Sequence, residues 1–336
     1  MDSLSQIALG AAVGVATMGR RTAVWKAALW GAVAGTLPDL DVLIDHGDPV
    51  RNMVLHRAET HAPFWLTLFS LPLAAGIARL HGEWAQWRRW WLAIWLALVT
   101  HPLLDAMTVY GTQLALPWSN HPFAVGSVFI IDPLYTLPLL AGAGWALATR
   151  GTGRGLAANA AGLLLSTAYL AWGVFAQQQV ERVARASLAA HGIQAERVLV
   201  APAAFSSVLW RVVAVSGDHF HEGFRSLLDT TPLMAFDRFE RGAALSEELK
   251  GLDAVQRIAA FSKGFYKLRL EGDRVLLSDL RMGQEPNYIF TFEVAQRHSA
   301  PEPTMPPVQV GTRLDLARGL PWLWRRTLGE PVAPPR

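Results

Sequence analysis

Six apolar runs, at residues 4–18, 23–37, 63–80, 90–107, 130–148 and 156–175, crowd the first half of this chain and constrain its fold more than any other feature. Runs of this length and composition form helices that bury their surface in lipid or against one another. The 336 residues are 51 % hydrophobic, only 17 % charged, and include 14 tryptophans, which is too apolar for an ordinary soluble protein of this size. The charge is also unevenly placed. The expected architecture is mainly α: a polytopic helical membrane bundle of about six spans over residues 1–176, then a small α+β or β-rich soluble domain over 177–299, then a Pro-rich tail over 300–336. The first run follows Asp2 rather than a basic start, which argues against a signal peptide. It is short for a lone span. Gly10-Ala-Ala-Val-Gly14 and Gly31-Ala-Val-Ala-Gly35 each carry a small-xxx-small pattern that lets two helix backbones approach closely, so the first two runs are candidates for pairing.

Basic residues set the expected orientation. The short connections at 19–26, 79–89 and 149–155 hold Arg20, Arg21, Lys26, Arg79, Arg88, Arg89, Arg150 and Arg154, whereas 39–61 and 109–127 hold only Arg51 and Arg57. The positive-inside rule puts the first set in the cytoplasm, and the second set with the soluble domain outside it. The same topology explains the basic residues without nucleic acid. With no cysteine in the chain, disulfides, thiolate metal sites and a cysteine nucleophile are excluded.

That topology also gathers chemistry at one membrane face. Asp2 and Gln6 start the first run, Asp39 and Asp41 end the second, and His56 and His61 introduce the third. His101 and Asp105 close the fourth, and Asp132 opens the fifth. His101 and Asp105 are spaced i,i+4, which places both side chains on one helical face. Ionisable groups inside an apolar run are costly and are functional by default. Pro38-Asp-Leu-Asp41 alternates, so an extended or helix-ending backbone points both carboxylates the same way. His56-Arg-Ala-Glu-Thr-His61 departs from metalloprotease helices, because at i,i+5 its histidines diverge by about 140° on a regular helix. Arg57 is expected either to bind an anionic substrate group or to pair with Glu59 or Asp39. The candidate ligands for a divalent metal are thus Asp39, Asp41, His56, His61, His101 and Asp105, with Asp41, Glu59 and Arg57 as candidate catalytic groups. A metal or ion transporter, or a membrane anchor for a partner-binding domain, would use some of the same features.

Beyond residue 177 the pattern changes. Stretches 207–216, 264–270, 275–280 and 288–294 alternate apolar and polar residues, and Gly272-Asp273 is a turn between two of them. Leu320 to Trp324 is a candidate interfacial stretch within a tail from Ala300 onward that is otherwise expected to be extended or disordered.

The start MDSLSQIALGAAVG, the PDLD element, His56-Arg-Ala-Glu-Thr-His61, HPLLDAMTVYGTQLALP and FIIDPLYTLPLL resemble the YdjM-like family of inner-membrane, metal-dependent hydrolases. VLWRVVAV, FSKGFYKLRL and SDLRMG are similar to the appended domain of its longer members. Shorter members carry Thr-His near the N-terminus where this chain has Ser5-Gln6. The resemblance implies a bacterial inner-membrane hydrolase using a divalent metal, most simply zinc, against an ester or phosphoester. A looser similarity to secreted zinc-dependent phospholipase C, which also places His and Asp four apart on a helix, implies zinc held by these Asp and His residues for attack on a phosphoester. The site's position at a membrane face is what points to membrane lipids or a lipid-linked substrate.

Overall fold

The computed structural model describes residues 1–297, 301–311 and 315–336. All six apolar runs are helical: α1 (Ser3–Met18), α2 (Val24–Thr36), α4 (Pro63–Leu80), α5 (Trp87–Ala106), α6 (Pro133–Ala148) and α7 (Gly153–Ala190), with a short α3 (Pro49–Leu55) between the second and third. They are not six spans. Among the described residues only α4 and α7 are both long and apolar enough to cross a bilayer. The helices α1, α2 and α6 have 16, 13 and 16 residues. At 1.5 Å per residue they reach about 20–24 Å, short of the roughly 30 Å hydrocarbon layer. Helix α5 has 20 residues but opens on Trp-Arg-Arg and carries His101 and Asp105 near its end. The six-span bundle expected from hydropathy is therefore replaced by two candidate spans and four helices that lack either the length or the composition. Only 28 % and 22 % of the apolar windows of α4 and α7 are buried, unlike the core helices of a soluble protein.

The chain divides into two compact units, one of residues 1–43, 57–174 and 204–206, the other of 44–56, 175–203 and 207–336. In the first, α1 and α2 pack backbone against backbone. A Cβ on Gly10 would lie 2.2 Å from the Gly31 carbonyl oxygen, one on Gly14 2.2 Å from that of Ala27, and one on Gly35 2.7 Å from that of Gln6. The glycine pattern thus forms the close pair of helices that it suggested. Around it, Ala8, Ala12, Ala34, Leu66, Trp90, Ile94, Leu98 and Leu139 form the core. At the far end of these helices Glu83 accepts from Thr22 Oγ1 at 2.7 Å and Lys26 Nζ at 2.8 Å, tying two of the basic connections together.

The second unit is built on two four-stranded antiparallel sheets. One has β1 (Arg197–Pro202), β2 (Leu209–Ser216), β3 (His219–Ser226) and β4 (Asp237–Glu240) in that order. The other has the order β10-β9-β6-β5, from β5 (Tyr266–Glu271), β6 (Arg274–Asp279), β9 (Thr291–Arg297) and β10 (Pro301–Gln309), and a two-stranded ribbon pairs β7 (Gly283–Gln284) with β8 (Asn287–Tyr288). Gly272 takes φ +60° between β5 and β6, as the Gly-Asp turn requires. Alternation located β2, β5, β6 and β9. It missed β1, β3 and β4, and the two short helices α8 (Ala243–Glu248) and α9 (Asp253–Phe261). The expected domain limit at 176 falls inside α7, and the one at 299, with Ala300 that starts the tail, lies outside the described residues. The tail beyond holds β10 and a helix, α10 (Leu316–Thr327).

Candidate metal centre

The centre is assembled in the first unit from three turns of chain. Helix α5 presents His101 and Asp105 one turn apart, and the i,i+4 spacing places His101 Nε2 3.2 Å from Asp105 Oδ2. A 3-10 turn over Leu37–Leu43 follows α2 and supplies Asp39. A second, over Glu59–His61, precedes α4 and supplies His61. The two histidine Nε2 atoms lie 3.1 Å apart. Asp39 Oδ1 is 3.4 Å from each of them, and Asp105 Oδ2 is 3.3 Å from His61 Nε2. All four donor atoms fall within 4.8 Å of one another. Three of these residues are wholly buried, and the Asp39 side chain is 22 % exposed.

The outer hydrogen bonds decide which atoms face inward. The His101 Nδ1–H donates to the Gly35 carbonyl at 2.6 Å, because a carbonyl can only accept. That carbonyl lies in the last turn of α2, where helical partners run out, and Pro38 three residues on has no N–H to offer it. On His61, Nδ1 faces the Thr60 hydroxyl at 3.0 Å, and that hydroxyl donates to Asp41 Oδ2 at 2.8 Å. The His61 Nδ1–H therefore donates outward too. Neutral imidazoles held this way direct both Nε2 lone pairs at each other and at two carboxylate oxygens. Four lone pairs converging in a buried space are stable only around positive charge.

A divalent cation fits this donor set. A tetrahedron with ligand bonds of about 2.0–2.1 Å has edges of about 3.3–3.4 Å, and the five edges measured run from 3.1 to 3.4 Å. Asp105 Oδ2 is buried and has no hydrogen-bond partner. Without a cation the same field holds a proton. Burial would lower the His61 pKa, but the surrounding carboxylates of Asp105, Asp39 and Asp41 raise it to about 9. Burial would raise Asp39, and the two imidazoles of His101 and His61 beside it overcome that and hold its carboxyl well below the usual range.

The other expected site residues lie around or apart from this core. Asp41 does not join Asp39 on one side, because the helix-ending backbone there is a 3-10 turn, in which residues two apart diverge by about 120°. It approaches the same imidazole from behind, with Oδ2 3.4 Å from His61 Nδ1, and also accepts from the Arg57 amide at 3.0 Å. Arg57 pairs with neither Glu59 nor Asp39. It is buried with its Nε 3.3 Å from Asp105 Oδ2, its Nη1 donating to Thr108 at 3.3 Å and its guanidinium 4.9 Å from the Tyr110 ring centre. Glu59 is exposed at the start of the turn that carries His61. His56 caps the C-terminus of α3 in the second unit, and the four-residue cluster forms without it. Asp132 caps α6 and accepts from the Tyr169 hydroxyl at 2.9 Å, outside the cluster. Sequence reasoning placed Gln6 on this face but gave it no part. Its Nε2 donates to Asp105 Oδ1 at 3.0 Å and to the His101 carbonyl at 3.3 Å, while the Met1 amino group also contacts Asp105 Oδ1. The available signal was a glutamine inside an apolar helix. Thr60 and the Gly35 carbonyl had no such signal.

The family match with known proteins covers the part of the chain that carries this cluster. Residues 1–180 match the family model described as YdjM inner membrane protein. A Bacillus subtilis (strain 168) protein described as uncharacterized protein YfhP is 28 % identical over 147 residues, which cover 42 % of this chain. The match spans under half, 45 %, of that relative's length. No solved structure matches the chain.

Proposed function

The chain belongs to the YdjM inner membrane protein family, and from that premise we propose that it is a membrane-bound, metal-dependent hydrolase acting on an ester or phosphoester of a lipid or lipid-linked substrate. The observation that carries this reading is the convergence of four donor atoms, three of them buried, with five of their separations at the edge lengths of a metal tetrahedron. A divalent cation, most simply zinc for a His₂Asp₂ set, supplies Lewis acidity and lowers the pKa of a water when bound.

The residues divide the work. His61, His101 and Asp105 hold the ion from within the protein. Asp39, the one partly exposed donor, stands on the side from which substrate arrives, and its carboxylate is placed to take a proton from water there. Asp41 and Thr60 orient His61, and the Gly35 carbonyl orients His101. Arg57 and Gln6 hold Asp105 and offset its charge, which makes Arg57 a positioning group rather than a clamp for substrate. Glu59, exposed beside His61, is the proposed proton relay to solvent. Leu40, Val42 and Leu43, on the same turn as Asp39, are 54 %, 72 % and 80 % exposed, and an apolar rim of this kind supports an amphiphilic substrate.

The basic connections lie at the helix ends away from this centre, so the positive-inside rule supports an extracytoplasmic centre and second unit. A reporter fused after Ala176 tests that orientation; cytoplasmic activity of the reporter would reverse it. The hydrolase reading is tested by metal analysis of purified wild type, His101→Ala and Asp105→Ala, with phospholipid and phosphodiester substrate panels. One metal per wild-type chain, lost with hydrolysis in both variants, is expected. Metal-free wild type, or variants that keep full metal, would sink the reading.

A further inference from the structure

Helix α10 leaves an apolar face exposed among the described residues. Leu316, Leu320 and Trp324, and Leu328 just past its end, recur every four residues and are 61 %, 49 %, 67 % and 51 % exposed. A four-residue step advances about 40° around a helix, so the four side chains form one stripe along its length. The opposite face is the one that docks. Arg326 donates to both carboxylate oxygens of Asp229 at 2.6 Å and to the Phe224 carbonyl at 2.8 Å, and Trp322 meets the Phe224 ring edge-on at 4.9 Å. The stripe therefore faces outward because the helix is fixed from behind. Leu228, 56 % exposed, lies beside the helix end, where a Cβ on Gly329 would fall 3.2 Å from its carbonyl oxygen.

We propose that α10 is an in-plane membrane anchor, with the Leu316–Leu320–Trp324–Leu328 stripe seated in the acyl-chain boundary of an anionic bilayer. Three observations select lipid as the occupant. The helix carries three arginines and no carboxylate. Arg325 borders the stripe near Leu328 and Arg318 lies toward the opposite side of the helix, and their partners Asp315 and Glu330 form exposed pairs that lipid phosphates can replace. A tryptophan among leucines on one face, with arginine beside and behind it and no carboxylate in the helix, is the composition of an interfacial helix, which sinks about 5–10 Å below the headgroup boundary. The chain's membership of an inner-membrane family brings such a surface within reach. This anchor stands independently of the metal centre and its chemistry.

The chain has no cysteine, so single-cysteine variants of the full-length protein can each carry one nitroxide label. In nanodiscs containing phosphatidylglycerol, labels on Leu320→Cys, Trp324→Cys and Leu328→Cys are expected to collide several-fold more with oxygen, relative to a water-soluble nickel chelate, than a label on Arg318→Cys. The gap should narrow in phosphatidylcholine alone. Water-like ratios at all three stripe positions would overturn the proposal. Dipolar broadening between copies at the stripe, with no access to lipid, would also overturn it and assign the face to a second chain. All of the labelled positions are exposed, and three stripe sites make the result independent of any one variant's folding.

Discussion

His61 is where the electrostatics of the centre can be read in solution. Its imidazole is held protonated up to about pH 9 by three carboxylates, so a metal must displace that proton to bind at neutral pH. The folded-state value lies above the ordinary histidine value of 6.5. The stability it contributes to metal-free protein is therefore full below about pH 6.5 and is lost as pH rises through about 9. Two trends of opposite sign follow between pH 6.5 and 9: the Tm of metal-free protein falls, and zinc affinity rises. Thermal melts and zinc titrations across that window check both, and an affinity flat with pH would refute the protonated His61. In the proposed reading Asp41 acts through His61 rather than on the ion. Asp41→Asn is expected to weaken metal affinity about 10- to 100-fold while leaving a one-to-one stoichiometry at saturating metal, whereas Asp105→Asn should lose the stoichiometry itself. Equal effects of the two substitutions would end the distinction.

Helices α1 and α2 matter to the centre through their glycines. Their backbone contact lets the end of α2 and Gln6 of α1 both reach α5, where Gly35 receives the His101 hydrogen bond and Gln6 holds Asp105. Gly31→Ala would place a Cβ 2.2 Å from the Gly10 carbonyl oxygen. The helices must separate, at a cost of about 1–3 kcal/mol, and the Gly35 carbonyl moves with them. The expected outcome is a lower Tm together with weaker metal binding, although residue 31 touches no ligand. Unchanged affinity in a destabilised variant would show that the pair serves stability alone. The small-xxx-small spacing made this pairing legible in the sequence, because glycine is the one residue that permits the approach. Their status as spans was not legible from hydropathy runs, since capping by Asp2, the break at Pro38 and the charged start of α5 set the helix lengths.

At the scale of the whole chain, ion binding should stabilise one unit and not the other, because all four donors lie in the first. Chelation is expected to lower the thermal transition of that unit, by up to about 4 kcal/mol where free metal had been a thousandfold above Kd. Melting of the sheet unit, followed by its β-sheet circular dichroism, should stay in place; equal shifts in both would mean that the units melt as one. Much of this organisation is written locally. Apolar runs, glycine spacing, the His-Asp pair four apart on a helix and the alternation of β2, β5, β6 and β9 are short-range patterns, each with its own physical cause within a few residues. They sufficed to separate a helical first half from a β-rich second and to nominate Asp39, His61, His101 and Asp105 within a longer set. Only the tertiary structure separated donors from their supports. Asp39 and Asp41 look alike in the sequence, but a 3-10 turn sends one to Nε2 and the other to Nδ1 of His61. His56 and His61 look alike as well, and chain packing leaves them in different units. Arg57 found its carboxylate 48 positions away, at Asp105. Such choices depend on which lone pairs meet across a packed interior, and local spacing carries no record of that.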